Sequence, residues 1–284
     1  MLSSQVSNEN IRYLRSLIDV CSNIVSGPQT FIFSAENGFS FESMEPSGAV
    51  FVYFNVPKEF FTLFECKKDI LELRINIEDL KKVLSRNLTS EEQLSFTYSE
   101  SSKFTINFVK EKGQKRKYEL SLHNPQDDDS QRNLVDRVKS IPLNCTAIMN
   151  PGTFKDILAD VGIAADKKDK PISVSVTSKM LKFEMNRGMD GMTATVELPE
   201  SELASKIVLE NDESFETVYD MDYLEKLTKI DAIASKVIFE FGIEKPLRMA
   251  FNISDKMEFI FMAGPLQSDD DFEDSDDDDD STDD

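Results

Sequence analysis

The feature that most constrains this chain is a pair of similar short segments separated by 144 residues. Residues 76–86 read NIEDLKKVLSR and residues 220–230 read DMDYLEKLTKI, and an ungapped alignment places Lys82 on Lys226. In each segment apolar residues recur three apart, as on one face of a short helix, while at least one lysine falls on another face. The spacing predicts two copies of one structural unit, each with a helix that exposes a basic side.

A second pair of landmarks has nearly the same spacing. Pro57 and Pro199 each close an apolar strand and lie 142 residues apart, and two landmarks of different type with one period indicate a duplication. Each half reads helix, strands, helix, strands, which predicts an α+β, mainly antiparallel fold whose helices cover one face of a sheet. Helices are predicted at 8–25, 76–86, 151–161 and 220–230, and strands at 30–34, 39–43, 49–56, 70–75, 94–99, 103–109, 115–122, 172–176, 181–185, 192–198, 236–241, 247–253 and 258–262.

The composition changes between the halves and at the end of the chain. Residues 124–142 are polar, include three consecutive aspartates and are predicted to form a connector that crosses the surface. The net charge is −21, and twelve acidic residues without a single base fall within 269–284. Because like charges do not pack, a disordered acidic tail is predicted at 267–284. The predicted organisation is a first domain at 1–123, the connector, a second domain at 143–266 and the tail.

The composition also argues against several classes of protein. His123 is the only histidine, the three cysteines lack metal-ligand spacing, and no glycine-rich phosphate loop occurs, so no enzymatic activity, metal or cofactor is expected. The N-terminus lacks a secretory signal and no apolar run approaches about 18 residues, so a soluble, intracellular protein without membrane contact is expected. Catalysis by carboxylates alone, and an acidic interaction or chaperone protein built around the tail, remain as alternatives.

Four stretches carry a resemblance to a known family: NGFSFESMEPSGAVFVYFNVP (37–57), INIEDLKKVLSR (75–86), YDMDYLEKLTK (219–229) and KPLRMAFNISDKMEFIFMAGP (245–265). Through them, residues 1–266 resemble the sliding clamps of the proliferating cell nuclear antigen type, and archaeal-style members in particular. The resemblance implies two similar clamp domains, with antiparallel sheets outside and short helices lining the inside of a trimeric ring.

The function that this resemblance implies is that of a DNA sliding clamp, a polymerase processivity factor that encircles double-stranded DNA without reading its sequence. The implied partners are a DNA polymerase, a clamp loader and other replication and repair proteins that dock through short peptides, together with further copies of the chain or related clamp subunits. The alternative is a subunit of a checkpoint-type heterotrimeric clamp loaded at DNA damage. The expected location is the nucleus in a eukaryote, or the cytoplasm and nucleoid for an archaeal or viral equivalent.

The resemblance also assigns DNA-facing basic residues to the four helices. Weak phosphate contacts of this kind would permit sliding. The third helix departs from the family pattern because it has one base, with Asp156 and Ala159 at positions that are usually basic. Four assigned residues match inner family positions and the others are neighbours on the helices: Arg12, Arg15, Lys82 and Lys229, and then Lys81, Arg86, Lys155 and Lys226.

The resemblance places the contact between subunits at edge strands, with 115–122 of one subunit pairing with 180–187 of the next. The side chains implied beside this joint are Tyr118, Leu120 and Leu122 on one strand and Leu181, Phe183 and Met185 on the other.

The resemblance finally implies a groove for partner peptides beneath the connector and beside the end of the second half. Two departures affect it: Ala263-Gly264-Pro265 replaces the usual Ala-Pro, and the connector is unusually polar, so Leu134 or Val135 has to supply its apolar contact. The groove positions are Met44, Gly48, Phe51, Leu134, Val135, Pro246, Phe261, Ala263, Gly264 and Pro265.

Overall fold

A computed structural model describes most of the chain. The predicted disorder of 267–284 lies outside the described residues, as does the connector between 126 and 133. The described residues are 1–86, 92–110, 113–125, 134–166, 170–187, 191–210, 213–254 and 256–266.

The four predicted helices are present, and three of them begin at side-chain caps. The Oδ1 atoms of Asn76, Asn150 and Asp220 accept hydrogen bonds from backbone N–H groups of the first turn at 2.8–2.9 Å. At the first helix, the residue in the cap position is Ser7, which contributes only its carbonyl oxygen. The described α-helices are α1 (Asn8–Ile24), α2 (Ile77–Leu84), α3 (Leu134–Ser140), α4 (Pro151–Val161) and α5 (Met221–Lys226).

The fourth predicted helix is shorter than expected and changes type. α5 ends at Lys226, and a 3-10 helix continues over Leu227–Ala232. Residues three apart eclipse one another in a 3-10 helix, so Leu227 and Ile230 stay buried while Lys229 remains on the solvent side.

No helix was predicted within the connector. Residues 134–140 nevertheless form α3. Leu134 and Val138 recur at helical spacing and are buried against Phe51 and Ile260 on the sheet below. Two turns with few apolar residues give a weak periodic signal, which is why the sequence alone favoured a linker.

Three antiparallel sheets contain the described strands. The strands are β1 (Leu2–Val6), β2 (Pro28–Ser34), β3 (Gly38–Met44), β4 (Val50–Val56), β5 (Leu63–Cys66), β6 (Ile70–Asn76), β7 (Glu92–Tyr98), β8 (Lys103–Lys110), β9 (Lys115–Ser121), β10 (Cys145–Met149), β11 (Pro171–Thr177), β12 (Met180–Asn186), β13 (Thr193–Pro199), β14 (Val208–Leu209), β15 (Phe215–Asp220), β16 (Lys236–Phe241), β17 (Leu247–Ser254) and β18 (Met257–Ala263). The strand orders of the sheets are β5-β1-β7-β8-β9, β14-β10-β16-β17-β18-β4-β3-β2-β6 and β13-β12-β11-β15.

Five of these strands, β1, β5, β10, β14 and β15, lie outside the predicted strand ranges. The sequence of β1, LSSQV, is mostly polar, and that of β5, LFEC, is short.

The sheets repeat the same topology in the first half (residues 1–123) and the second half (residues 143–266). β1-β7-β8-β9 corresponds to β10-β16-β17-β18, and β4-β3-β2-β6 corresponds to β13-β12-β11-β15. The registers agree: Val6 pairs with Leu94 as Met149 pairs with Val237, an offset of 143. The halves join where β18 pairs with β4, which makes one nine-stranded sheet.

The core lies between the sheets and the helices. Stacked phenylalanines fill the first half, with ring centroids 4.9 Å apart between Phe31 and Phe41 and 4.8 Å apart between Phe33 and Phe39. The turn from β2 to β3 depends on Gly38, whose φ of 95° is in the region that favours glycine. A Cβ there would collide with the carbonyl oxygen of Val56, so the turn lies directly on the end of β4.

Candidate nucleic-acid interface and docking surfaces

The helices of both halves form one continuous layer on one side of the sheets. α2 packs on α1, α1 packs on α5 and the following 3-10 helix, and both of these pack on α4. We call this set of helices the helical layer. The eight basic residues predicted to face DNA lie on it or directly after it: Arg12, Arg15, Lys81, Lys82, Arg86, Lys155, Lys226 and Lys229.

Three arginines on or directly after the helices of the first half contact neutral groups. A guanidinium nitrogen of Arg15 donates to the carbonyl oxygen of Ser85 at 2.9 Å, which ties α1 to the end of α2. Arg12 donates to the hydroxyl of Tyr13 at 2.8 Å. The guanidinium of Arg86 lies 5.3 Å from the ring centroid of Tyr118, a cation–π distance. All three arginines keep their positive charge available to an anion such as a phosphate.

Asp19 is an acidic residue within the helical layer that the sequence reasoning did not single out. Its two carboxylate oxygens lie 2.8 Å from Nζ of Lys81 and 2.7 Å from Nζ of Lys229. Partial burial acts to raise the pKa of Asp19, but the hydrogen bonds and charges of Lys229 and Lys81 outweigh it and hold that pKa below its usual value. The pairing joins the first half to the second.

The basic residues of the second half have more acidic surroundings. Lys155 on α4 lies 2.9 Å from Asp231, and the hydrogen bond and charge of that carboxylate raise the pKa of Lys155. The ammonium of Lys226 lies 4.5 Å from the ring centroid of Tyr223. On this part of the helical layer, Asp231 therefore offsets the charge of Lys155.

The arrangement suits weak contact with a phosphate backbone. The side chain of Lys82 is 75% exposed, and its ammonium group sits on a long flexible stem. Such groups attract phosphates of any sequence and offer no fixed hydrogen-bond pattern for base edges. The helical layer can therefore attract a duplex without reading it.

The predicted partner groove corresponds in part to an apolar cluster beneath α3, on the opposite side of the sheets from the helical layer. It brings together Met44, Phe51, Leu134 and Val135. Met262 lies within the predicted range 261–265 and also lines the cluster. The sequence reasoning missed the other members: Tyr53, Val138, Ala250 and Ile260.

Polar contacts hold α3 at both of its ends. A carboxylate oxygen of Glu42 accepts the N–H of Val135 at 3.2 Å. At the other end, Arg248 donates to the carbonyl oxygens of Val138 at 2.8 Å and Ile141 at 3.3 Å. Arg248 is itself fixed by Glu240, whose carboxylate lies 2.8 Å away. These contacts satisfy groups that a helix leaves unpaired at its ends.

Other predicted groove residues lie elsewhere. Phe261 and Ala263 are buried in the main core, because alternate residues of β18 face opposite sides and only Ile260 and Met262 point toward α3. The groove assignment of Phe261 and Ala263 was therefore wrong. The remaining groove positions lie at the ends of strands: Gly48 in the turn before β4, Pro246 before β17, and Gly264 and Pro265 after β18.

The strand proposed for the second side of the subunit contact is not an edge. β12 is hydrogen-bonded to β11 on one side and β13 on the other, so it has no free edge for another chain. Leu181, Phe183 and Met185 are at most 2% exposed, which corrects their assignment to a subunit interface. The edge strands of this sheet are β13 and β15, whereas β9 is an edge of its own sheet as predicted.

No group of three or more His, Cys, Asp or Glu side chains among the described residues is placed to hold a metal ion. No helix in the described ranges has the length and apolarity needed to span a bilayer.

Two halves of one topology, a shared helical layer and a connector helix on the opposite side define the architecture of the sliding-clamp class. Two family profiles match this chain in succession. "Proliferating cell nuclear antigen, N-terminal domain" matches residues 1–130, and "Proliferating cell nuclear antigen, C-terminal domain" matches residues 137–266. The chain belongs to the proliferating cell nuclear antigen family, as the sequence resemblance predicted.

Individual relatives agree with this assignment. The DNA polymerase sliding clamp 1 of Thermococcus kodakarensis is 25% identical over 92% of this chain and 97% of its own length. A crystal structure of PCNA from the same organism superimposes with a TM-score of 0.78 at 18% identity, covering 94% of this chain and all of that one. A PCNA2–PCNA3 complex from Sulfolobus tokodaii gives a TM-score of 0.76 at 17% identity, covering 93% and 98%. These structures share the fold of this chain.

Proposed function

We propose that the protein is a DNA sliding clamp, a ring that encircles double-stranded DNA and tethers a DNA polymerase and other replication and repair enzymes to it. Family membership and the name of the curated relative support this function. The role requires no catalytic centre, because processivity comes from the topology of a closed ring. Such a protein acts inside the cell, where its DNA is. We place the domain boundaries at 1–123 and 143–266, with the connector between them.

The observation that carries the proposal is a strand pairing. It forms once between the two halves of the chain, and the equivalent strands at the far side of each half each have one edge without a partner among the described strands. β18 pairs antiparallel with β4 at the junction of the halves. By the internal repeat, β9 is the counterpart of β18 and β13 is the counterpart of β4, and both are free edges. Copies of the chain can therefore repeat the same joint head to tail, which closes into a ring if the rotation between halves divides a full turn.

The internal repeat also gives a residue register for this joint. β9 corresponds to β18 at an offset of 143, and β13 corresponds to β4 at an offset of 142. Transferring the β18–β4 pairs places Lys115 opposite Glu197, Tyr118 opposite Ala194 and Leu120 opposite Met192. Opposite charges meet at the first pair, a large ring meets a small side chain at the second, and half-exposed Met192 gains apolar cover at the third.

The oligomer test is the mass of the intact chain in solution, measured by light scattering. A trimer of this 32.3 kDa chain has a mass of about 97 kDa. Tyr118→Asp places a charge in the proposed joint and is expected to give monomers. Val208→Asp is the matched control, since Val208 is 63% exposed on another edge strand, β14, and the trimer should persist. A Tyr118→Asp protein that still has the mass of a trimer would refute the joint.

The functional test is DNA synthesis by the cognate polymerase on a primed template. The wild-type trimer is expected to lengthen the products made in one binding event, and Tyr118→Asp is expected to abolish that effect. A trimeric wild-type protein without any effect on product length would overturn the clamp function while leaving the oligomer intact.

The alternative, a subunit of a checkpoint-type heterotrimer, predicts a chain that stays monomeric when purified alone. The proposed pairing of Lys115 with Glu197 favours self-assembly, because one copy supplies both charges. A monomer at micromolar concentration would favour the heterotrimer.

Partner enzymes are proposed to dock over the apolar cluster beneath α3. The half-buried side chains of Met44, Val135 and Met262 remain available to an incoming peptide beside the helix. Gly48, Pro246, Gly264 and Pro265 stay predicted contributors at the rim. Replacement of Val135 by Asp is expected to weaken peptide capture in a pull-down with the polymerase C-terminal peptide while the trimer persists. Unchanged capture would move the docking site away from α3.

A further inference from the structure

Asp19 occupies the place where the helices of the two halves meet. Its carboxylate holds Lys81 of α2, in the same half, and Lys229 of the 3-10 helix, in the other half, at 2.8 and 2.7 Å. Lys81 also donates to the side-chain oxygen of Asn23 at 3.0 Å, so its ammonium group is fixed on two sides. Two of the eight basic residues proposed to face DNA are therefore already bound to one acidic side chain.

The internal repeat distinguishes the joint between the two halves of one subunit from the proposed joint between subunits. Only the first has the residues to form the pairing of Asp19 with Lys229. At the offset of 143 that relates α1 to α4, the counterpart of Asp19 is Gly162. At the offset of 144 that relates the caps of α2 and α5, the counterpart of Lys229 is Ser85. At the proposed joint between subunits, Gly162 of one copy would thus lie opposite Ser85 of the next copy. Asp19 neutralises charge at the joint inside each subunit and has no equivalent at the joint between subunits.

The pairing is built into the surface. The side chains of Asp19 and Lys81 are about one-third exposed, at 28% and 32%, so the carboxylate is partly shielded from water. A phosphate that approached Lys81 or Lys229 would have to displace this carboxylate or accept its repulsion. By contrast, Lys82 is 75% exposed, and its partner Asp79 is 54% exposed, so that pair gives way to solvent and ions more easily.

We propose that Asp19 sets the strength of DNA contact by withholding Lys81 and Lys229 from phosphates, which keeps the clamp on weak, mobile contacts. This inference rests on the proposed clamp function. Each lysine that contacts a phosphate releases a counterion and steepens the dependence of affinity on salt. Removing the carboxylate charge therefore adds up to two phosphate contacts, with a measurable signature in the salt dependence of binding.

The experiment uses the full-length trimer and a linear duplex of about 30 base pairs, with binding measured by fluorescence anisotropy over a series of KCl concentrations. Asp19→Asn is expected to bind three- to tenfold more tightly at about 0.1 M salt, with a plot of log K against log salt steeper by about 1 to 2. Asp19→Glu keeps the charge and should restore a slope near that of the wild type. In the Asp19→Asn background, Lys229→Gln should remove about half of the gain.

The matched control is Glu184→Gln, which removes the same charge elsewhere. Glu184 lies 2.7 Å from Lys182 on β12, whose core-facing residues alternate with this pair, so the pair is on the sheet face away from the helices. The control should leave the salt slope unchanged. A similar gain with Glu184→Gln would show a general charge effect and would overturn the proposal for Asp19.

The possible outcomes distinguish a failure of this inference from a failure of the proposed clamp function. A wild-type trimer whose DNA affinity falls with salt, together with an Asp19→Asn protein of the same slope, overturns the role of Asp19 alone. A wild-type trimer without salt-dependent binding overturns both. If Asp19→Asn loosens the trimer, Lys229→Gln in the otherwise intact chain gives the test. A lysine withheld by Asp19 lowers the slope by well under 1, and a slope lowered by about 1 refutes the proposal.

Discussion

The two halves of the molecule share one topology but carry different charge on the helical layer. The helices of the first half contain equal numbers of basic and acidic residues, with Arg86 directly after them, whereas those of the second half contain more acidic than basic residues. The residues are Arg12, Arg15, Lys81 and Lys82 against Glu9, Asp19, Glu78 and Asp79 in the first half, and Lys155, Lys226 and Lys229 against Asp156, Asp160, Asp222, Glu225 and Asp231 in the second.

The difference shows which positions the repeat constrains. Buried positions of α1 and α4 correspond in size and apolarity, as Ile11 and Phe154 or Ile18 and Val161 do, because both helices have to cover a sheet. Exposed positions are free of that requirement and have diverged in charge. We therefore expect DNA contact to depend mainly on the first half, while both halves contribute equally to closing a ring.

The largest predicted effect compares equivalent core aromatics. Phe239 is fully buried, and Phe96, its counterpart at an offset of 143, is 3% exposed. Phe239→Ala is expected to lower the free energy of unfolding by about 5 kcal/mol and Phe96→Ala by about 3 kcal/mol, the two ends of the usual range. The reason is the number of neighbouring aromatic rings among the described residues. Phe96 has one within 6.3 Å, Phe104, whereas Phe239 has three, namely Phe154, Phe183 and Phe241.

Urea unfolding of both variants, followed by far-UV circular dichroism, measures this difference. Equal losses for Phe239→Ala and Phe96→Ala would show that packing in the two halves is equivalent despite the unequal number of aromatic contacts.

A smaller effect is expected at the turn between the second and third strands of each repeat. Gly38 has a φ of 95° and lies against the carbonyl of Val56, whereas Met180, at the equivalent position, has an ordinary backbone conformation. Gly38→Ala is expected to cost about 1–3 kcal/mol through backbone strain, and Met180→Ala less than about 1 kcal/mol. Thermal denaturation of the two variants tests this, and a Gly38→Ala protein as stable as Met180→Ala would contradict the strained turn.

The repeat and the four predicted helices could be read from the sequence, because apolar residues recur at helical spacing in each helix. Short elements were not. α3 has only Leu134, Val135 and Val138 as apolar residues, and its position depends on Glu42 and Arg248, which are distant in sequence. Long-range contacts of this kind leave no local pattern.

The candidate site was predictable where helical faces determine it and less so where strands do. Seven of the eight basic residues lie on the helical layer and Arg86 lies directly after α2. The apolar run of β18 is buried on both faces, so the direction of Phe261 could not be read from alternation. Edge positions depend on strand order, which the sequence does not state, and β12 was therefore mistaken for the edge that β13 provides.

The charge comparison itself predicts unequal effects of lysine reversal. Lys82 and Lys226 are equivalent by the alignment of the two helices, but Lys82 is largely exposed while the ammonium of Lys226 packs on Tyr223. Lys82→Glu is expected to weaken binding to linear duplex about tenfold at low salt, and Lys226→Glu about threefold, because more of the surrounding charge is already acidic. Anisotropy titrations measure both, and polymerase stimulation should follow the same order. An equal or larger loss with Lys226→Glu would show that the second half contributes as much to DNA contact as the first.

The smallest effects concern how each half responds to pH. The folded pKa of Asp19 is below its usual 3.8, so its contribution to stability is complete above that value and is lost as the pH falls through the folded pKa. The pKa of Lys155 is raised above its usual 10.5, so its contribution is complete below that value and is lost as the pH rises through the folded pKa. The difference in Tm between wild type and Asp19→Asn should therefore shrink below about pH 4, whereas that between wild type and Lys155→Gln should shrink only above about pH 10. A difference for Asp19→Asn that stays constant from pH 6 to pH 3 would mean that the ion pairs of Asp19 do not stabilise the junction of the halves.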